Sequence, residues 1–177
     1  MTSEADAAGR ILGTLLTAGG AGVVRMEDRF DASVDDVWSA LTDPARLAVW
    51  YGEVEGDLHV GGQYRAHLHA SGWSGVGRIE ACEQPQRLLV ATAMDADETD
   101  GKAGEIEVTL TAERDQTRVV WEERGMPVEL LAAYGAGIQV HVEDLRSYLA
   151  GGARCDANAR WQELSPAYQQ LAAEVRC

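Results

Sequence analysis

Residues 133–151, AYGAGIQVHVEDLRSYLAG, carry the longest helical periodicity in this 177-residue chain and decide what the rest can fold around. On a seven-residue wheel Leu131, Tyr134, Ile138, His141, Leu145 and Tyr148 form one stripe, the spacing of a helix face buried against something apolar. Half of that stripe ends in a polar tip. An unpaired buried polar group costs roughly 1–3 kcal/mol, so two phenols and an imidazole on a core-facing stripe need partners, either in the protein or in a cavity. Met126-Pro127 introduces this helix, predicted over about residues 128–150, and Gly151-Gly152 closes it.

Upstream, from residue 54 to 124, the pattern changes to short strands separated by turns. Gly61-Gly62 precedes QYRAHLHA, Gly72 to Gly77 opens VGRIEACE, and Gln84-Pro85 precedes RLLVATAM. The polar stretch 95–104 reads as a long loop. EIEVTLTA then alternates with Ile106, Val108, Leu110 and Ala112 on one face, and TRVVWEERG places Val119, Trp121 and Glu123 together. Further upstream, Gly19-Gly20 joins two apolar runs as a hairpin turn, the second run carrying Val24, Met26, Asp28 and Phe30 on one face. In SVDDVWSAL, Ser33 with Asp36 three residues on is a capping-box-like start. Asp43 as N-cap and Pro44 at the first helical position begin a second short helix that ends before Gly52. A last helical segment, roughly 159–174, carries Trp161, Leu164, Tyr168 and Leu171. Half-buried strands need a cover, and the long helix is the one element of matching length. An α+β fold is therefore expected, a curved antiparallel sheet wrapped around that helix. No repeat or second composition zone appears, so one domain spanning residues 1–177, with its core at about 12–172, is expected.

The formal net charge is −14, with 46% hydrophobic and 25% charged residues, and the pI is near 4.6. An acidic chain repels phosphate, which argues against nucleic acid and anionic membranes as partners. No apolar run approaches the roughly 18 residues of a membrane span. The acidic start lacks the order of a signal peptide, and three cysteines without metal-like spacing read as reduced thiols, so a cytoplasmic location is expected. There is no P-loop, dinucleotide fingerprint or G-x-S-x-G order, and no cofactor is implied. His67 and His69 form an H-x-H pair on one strand face, but share it with Gln63 and Arg65, so they are expected toward solvent rather than on a metal.

FDASVDDVWSALTDPARLAVWYG, VEGDLHVGGQYRAHL, GRIEACEQPQRLLV, VTLTAERDQTRVVW and the 133–151 helix together resemble the START-related helix-grip superfamily. More narrowly, they are similar to bacterial homologues of the activator of the heat-shock chaperone ATPase. The likeness covers about residues 12–172. It implies a hollow between curved sheet and long helix, often used for a small apolar or amphipathic ligand, but no particular reaction. Members commonly carry Trp early on the long helix, where this chain has Ile138, leaving more room beside Tyr134.

On this reading Tyr134, His141, Tyr148 and Glu123 are the polar contacts of a ligand. Trp50, Trp121 and Ile138 form its wall, and Trp50 with Tyr51 forms the rim. His141 is alternatively a core histidine satisfied by Asp28, Glu123 or a water. An enzyme of the cyclase or dehydratase type would use His141 as general base with Glu123 or Asp28 orienting it. A chaperone-modulating interaction protein is a third reading, carried by the family alone. Gly135 and Gly137, each costing about 1 kcal/mol in a helix interior, point to close approach of helix and sheet, a bend at the pocket mouth, or a frayed first turn. Oligomeric state stays open.

Overall fold

The computed structural model describes residues 9–94 and 104–175; the loop expected at 95–104 falls almost wholly outside them, as does Cys177. The elements run β1 (Gly13–Ala18), β2 (Ala21–Phe30), α1 (Val34–Thr42), α2 (Pro44–Trp50), β3 (Gly52–Gly56), β4 (Gln63–Leu68), β5 (Ser74–Glu83), β6 (Arg87–Met94), β7 (Gly104–Glu113) and β8 (Gln116–Met126). A 3-10 turn (Val128–Leu130) then leads into α3 (Leu131–Leu149), and α4 (Ala157–Val175) follows. The strands form one eight-stranded sheet in the order β1-β2-β8-β7-β6-β5-β4-β3, every neighbouring pair antiparallel.

Local chemistry accounts for the joints. Gly19 and Gly20 both sit at positive φ, +57° and +82°, the two left-handed residues that a tight two-residue hairpin requires. Ser33 Oγ accepts the Asp36 amide at 3.2 Å to start α1, and Asp43 Oδ1 accepts the Ala45 amide at 2.9 Å to start α2. These caps satisfy amide groups that the first helical turn leaves orphaned. α1 and α2 carry the chain from β2, near one end of the sheet, to β3 at the other.

The inner face of the sheet is apolar, with Val24, Met26, Phe30, Val108, Leu110, Val119 and Trp121 all buried. The outer face is a ladder of opposite charges. Arg118 pairs with Glu27 at 2.8 Å, Arg87 with Glu107 at 2.6 Å, and Arg124 with Glu107 at 2.9 Å and Glu122 at 2.6 Å. Such rows hold one face of the sheet in water while the other is covered.

α3 is buried on more than the expected stripe. Gly135, Gln139, Val142 and Asp144 are buried along with Leu131, Ile138, His141 and Leu145, because α4 packs along α3 as well as against β1. Tyr168 of α4 lies directly against Gly135, where any side chain would overlap its ring. Close approach explains this glycine, but the approaching element is α4 and not the sheet. Gly137 has no such neighbour, the nearest atom to an added Cβ being Trp161 Cδ1 at 4.0 Å.

Tyr168 also ties together parts distant in sequence. Its hydroxyl donates to Gln139 Oε1 at 2.5 Å and accepts the Gly13 amide at 3.1 Å. Gln139 Oε1 further accepts the Leu12 amide at 3.0 Å, and its Nε2 donates to the Arg10 carbonyl at 2.7 Å. Four hydrogen bonds thus satisfy polar groups that would be costly to bury unpaired.

Candidate functional site

A cavity of about 100 Å³ lies against the inner face of the sheet. Val54, Tyr64, Ile79, Val90, Ile106, Val108 and Trp121 from β3 to β8 form its floor, and Leu41, Leu47, Trp50 and Tyr51 from α1 and α2 form its roof. No side chain of α3 reaches this wall. The hollow expected between sheet and long helix is displaced to one side, because α3 is seated closely on β1 and β2 and Ile138 and Leu145 are buried in the continuous core there. The two short helices cover what α3 leaves open.

The places of two lining residues, Tyr64 and Cys82, follow from local geometry. Tyr64 stands opposite Gly77 across the β4–β5 pair, and its ring occupies the space that any side chain at Gly77 would need. In β5 the register slips between Ile79 and Ala81. A bulge of this kind exchanges the faces of the residues beyond it, so Cys82, opposite Leu88, turns onto the inner side. Cys82 both lines the cavity and is exposed, which places the mouth at that end.

At the other end is a polar cluster. Trp121 Nε1 donates to Glu123 Oε1 at 2.9 Å. Glu123 stands between Val24 and Ile106 on the neighbouring strands. Part of its surface stays accessible, yet surrounding protein strips enough hydration to push the carboxyl up to about 7, with the Trp121 hydrogen bond opposing. No arginine or lysine among the described residues pairs with it. Its charge is felt by Tyr51, Tyr64 and Tyr134, whose phenols are raised by burial first and by Glu123 second; Tyr64 is pushed up to about 12. The Tyr51 ring meets Trp50 at 5.0 Å, Trp121 edge-on at 5.9 Å and His141 edge-on at 5.1 Å between centroids. His141 is 6% exposed and its Nδ1 has no hydrogen-bond partner among the described residues. Burial pushes its pKa down to about 4, so the ring is neutral at physiological pH.

Residues 31–150 match the family described as activator of Hsp90 ATPase homolog 1-like protein. The chain belongs to this family. Among solved structures it is similar to CalU16 from Micromonospora echinospora, at 29% identity over 91% of this chain and 96% of that one, with a TM-score of 0.72. It is similar to DynU16, from the dynemicin biosynthetic locus, at 28% identity over 76% of this chain and 50% of that one, with a TM-score of 0.66. The fold also matches an HSP90 activator from Plasmodium falciparum, at 18% identity, 60% and 74% coverage and a TM-score of 0.51. No curated protein matches the sequence. Family and topology together make this the helix-grip architecture, a ligand-binding fold.

In this member of the activator-homologue family, Trp50, Tyr51 and Trp121 line the cavity, and Glu123 borders it through Trp121. Trp50 is fixed by an Nε1 hydrogen bond to the Ala40 carbonyl at 3.0 Å. Tyr134 sits at the surface, 37% exposed, on the Glu123 side. Tyr148 is turned elsewhere. Its hydroxyl accepts Arg46 Nε at 3.0 Å, and the guanidinium stacks over its ring. Asp28 does not serve His141 either, because it is held by Arg146 of α3 and by Arg10 at 3.1 Å, and accepts the Arg29 amide at 2.8 Å. His67 is exposed, its Nδ1 lying 2.6 Å from Ser74 Oγ, and His69 Nε2 lies 2.8 Å from the Ala48 carbonyl. Among the described residues no His, Cys, Asp or Glu group is placed to hold a metal. Tyr64 and Cys82 were not among the sequence candidates. The alternation of QYRAHL put Tyr64 on the inner face, but its standing over Gly77 needs the cross-strand register, and nothing in ACE signals the bulge.

Proposed function

We propose that this protein binds a small apolar or amphipathic molecule in the cavity between the sheet and helices α1 and α2. Trp50, Tyr51, Tyr64 and Trp121 would provide the wall, and Glu123 the polar contact. The observation that carries the reading is an apolar cavity bordered, through Trp121, by a carboxyl that no cationic side chain among the described residues neutralises. Concave apolar walls with few convergent polar groups are the usual make-up of small-molecule sites. That a similar structure comes from the dynemicin biosynthetic locus is in keeping with an organic ligand. No helix of the described residues is long and apolar enough to cross a membrane, and the reading places the protein in the cytoplasm.

An enzyme using the same cavity is the second reading, and one observation favours it: a carboxyl near 7 suits acid–base work at neutral pH. The base would then be Glu123, since a ring held near 4 is a poor proton acceptor there. The chaperone-modulating reading rests on the family description alone.

Native mass spectra recorded before and after denaturing extraction test the main reading. A reproducible extra mass, lost on extraction and recovered in the organic phase, is expected. A bare mass that stays unshifted when small amphipathic compounds are offered would overturn it.

A further inference from the structure

The ring arrangement and the charge balance of the cavity restrict its occupant further, given the cavity-binding reading above. Tyr51 is tilted 39° to Trp50 and stands at 60° to Trp121, while Tyr64 closes the β4 side over Gly77. Trp50, Tyr51, Tyr64 and Trp121 thus give one small space an aromatic lining, and aromatic rings attract organic cations. Glu123 borders this space through Trp121, whose Nε1 donates to its Oε1 at 2.9 Å. The guanidinium groups of β2, β6 and β8 are committed to the outer ladder, and those nearest α3 are committed to Asp28 and Tyr148.

We propose that the occupant is an organic cation, a protonated or alkylated amine with a compact apolar substituent, its ammonium seated among Tyr51, Tyr64 and Trp121 and paired with Glu123. The size sets a limit: about 100 Å³ is less than the roughly 150 Å³ apolar cavity that holds a benzene ring. That admits one small head group, with any longer tail leaving past Leu88 and Cys82. Burial pushes the Glu123 carboxyl up to about 7, and a bound ammonium would favour its ionised form. The other titratable groups facing it are phenols, Tyr51 from the end of α2, Tyr64 from β4 and Tyr134 from α3, all raised far from neutrality. His141, against Tyr51, is held neutral.

The test is a titration of the full chain with benzylamine, benzyl alcohol and benzoate, followed by the indole resonances of Trp50 and Trp121. At pH 8 benzylamine is expected to bind at least tenfold more tightly than benzyl alcohol, and benzoate most weakly. The amine's affinity should fall about tenfold per pH unit below 7 while that of the alcohol stays flat. In Glu123→Gln the amine preference should shrink to within twofold, with retained benzyl alcohol binding showing that the cavity is intact. Equal binding of amine and alcohol, or an amine preference that survives Glu123→Gln, would refute the cation and leave cavity binding standing. Indole resonances that none of the three compounds moves would refute both.

Discussion

Glu123 and His141 oppose one another in their response to pH. Glu123 has an ordinary value of 4.5 and a folded value of about 7. Between the two, the folded state keeps a proton that the unfolded chain has lost, so stability falls as pH rises from 4.5 to 7 and stays lower above. His141 has an ordinary value of 6.5 and a folded value of about 4. Its contribution is full above 6.5 and is lost as pH falls toward 4, where the unfolded chain takes a proton that the buried ring refuses. From pH 4.5 to 6.5 the two slopes nearly cancel. Glu123→Gln should therefore stabilise the protein at pH 8 by about 2 kcal/mol, starting from roughly 1.4 kcal/mol per unit between the two values and discounting for the accessible part of the carboxyl. The gain should vanish near pH 4.5. His141→Phe should leave a protein whose stability rises on acidification from pH 7 to 4.5. Urea unfolding across pH checks both, and variant curves parallel to the wild type would contradict the assignment. The inner-face alternation of β8 made Trp121 and Glu123 legible in the sequence. The place of Tyr148 was not legible, because Arg46, which holds it, lies 102 residues away and leaves no local signal.

At the scale of elements, α3 shows how far periodicity can be read. Its start after Met126-Pro127 and its end before Gly151-Gly152 follow from local chemistry and match the fold. Which face meets which neighbour does not, since a helix covered by both sheet and α4 is buried nearly all round and a wheel cannot rank its faces. The two glycines separate the causes. At Gly135 a methyl group must displace the Tyr168 ring, so Gly135→Ala should destabilise by about 1–3 kcal/mol through overpacking. At Gly137 an added Cβ meets nothing nearer than 4.0 Å, so Gly137→Ala should stabilise by up to about 1 kcal/mol through helix propensity. Thermal melts should show opposite shifts, roughly 2–4 °C per kcal/mol for a chain of this size. Shifts of the same sign would mean that Tyr168 does not hold the position described.

Across the whole molecule, the parts that flank the family match over residues 31–150 fasten to each other as well as to the core. Gly13 of β1 and Tyr168 of α4 meet over Gln139 of α3. Tyr168→Phe removes one hydroxyl but loosens both ends. A loss of about 1–2 kcal/mol is expected, with faster amide hydrogen exchange at Leu12 and Gly13 as the signature that a purely local defect in α4 would not produce. That an antiparallel sheet is covered by a long helix was readable from the order of elements, because covering the sheet leaves few packings. This fastening was not, since its partners lie 155 residues apart in sequence. The slipped register of β5 has a consequence of another kind. By bringing a sulfur atom to the threshold of the chamber, it installs a covalent gatekeeper's post. On the binding reading proposed above, a bulky alkylating reagent fixed there would act as a stopper, slowing exchange of guests without altering the seat they would take.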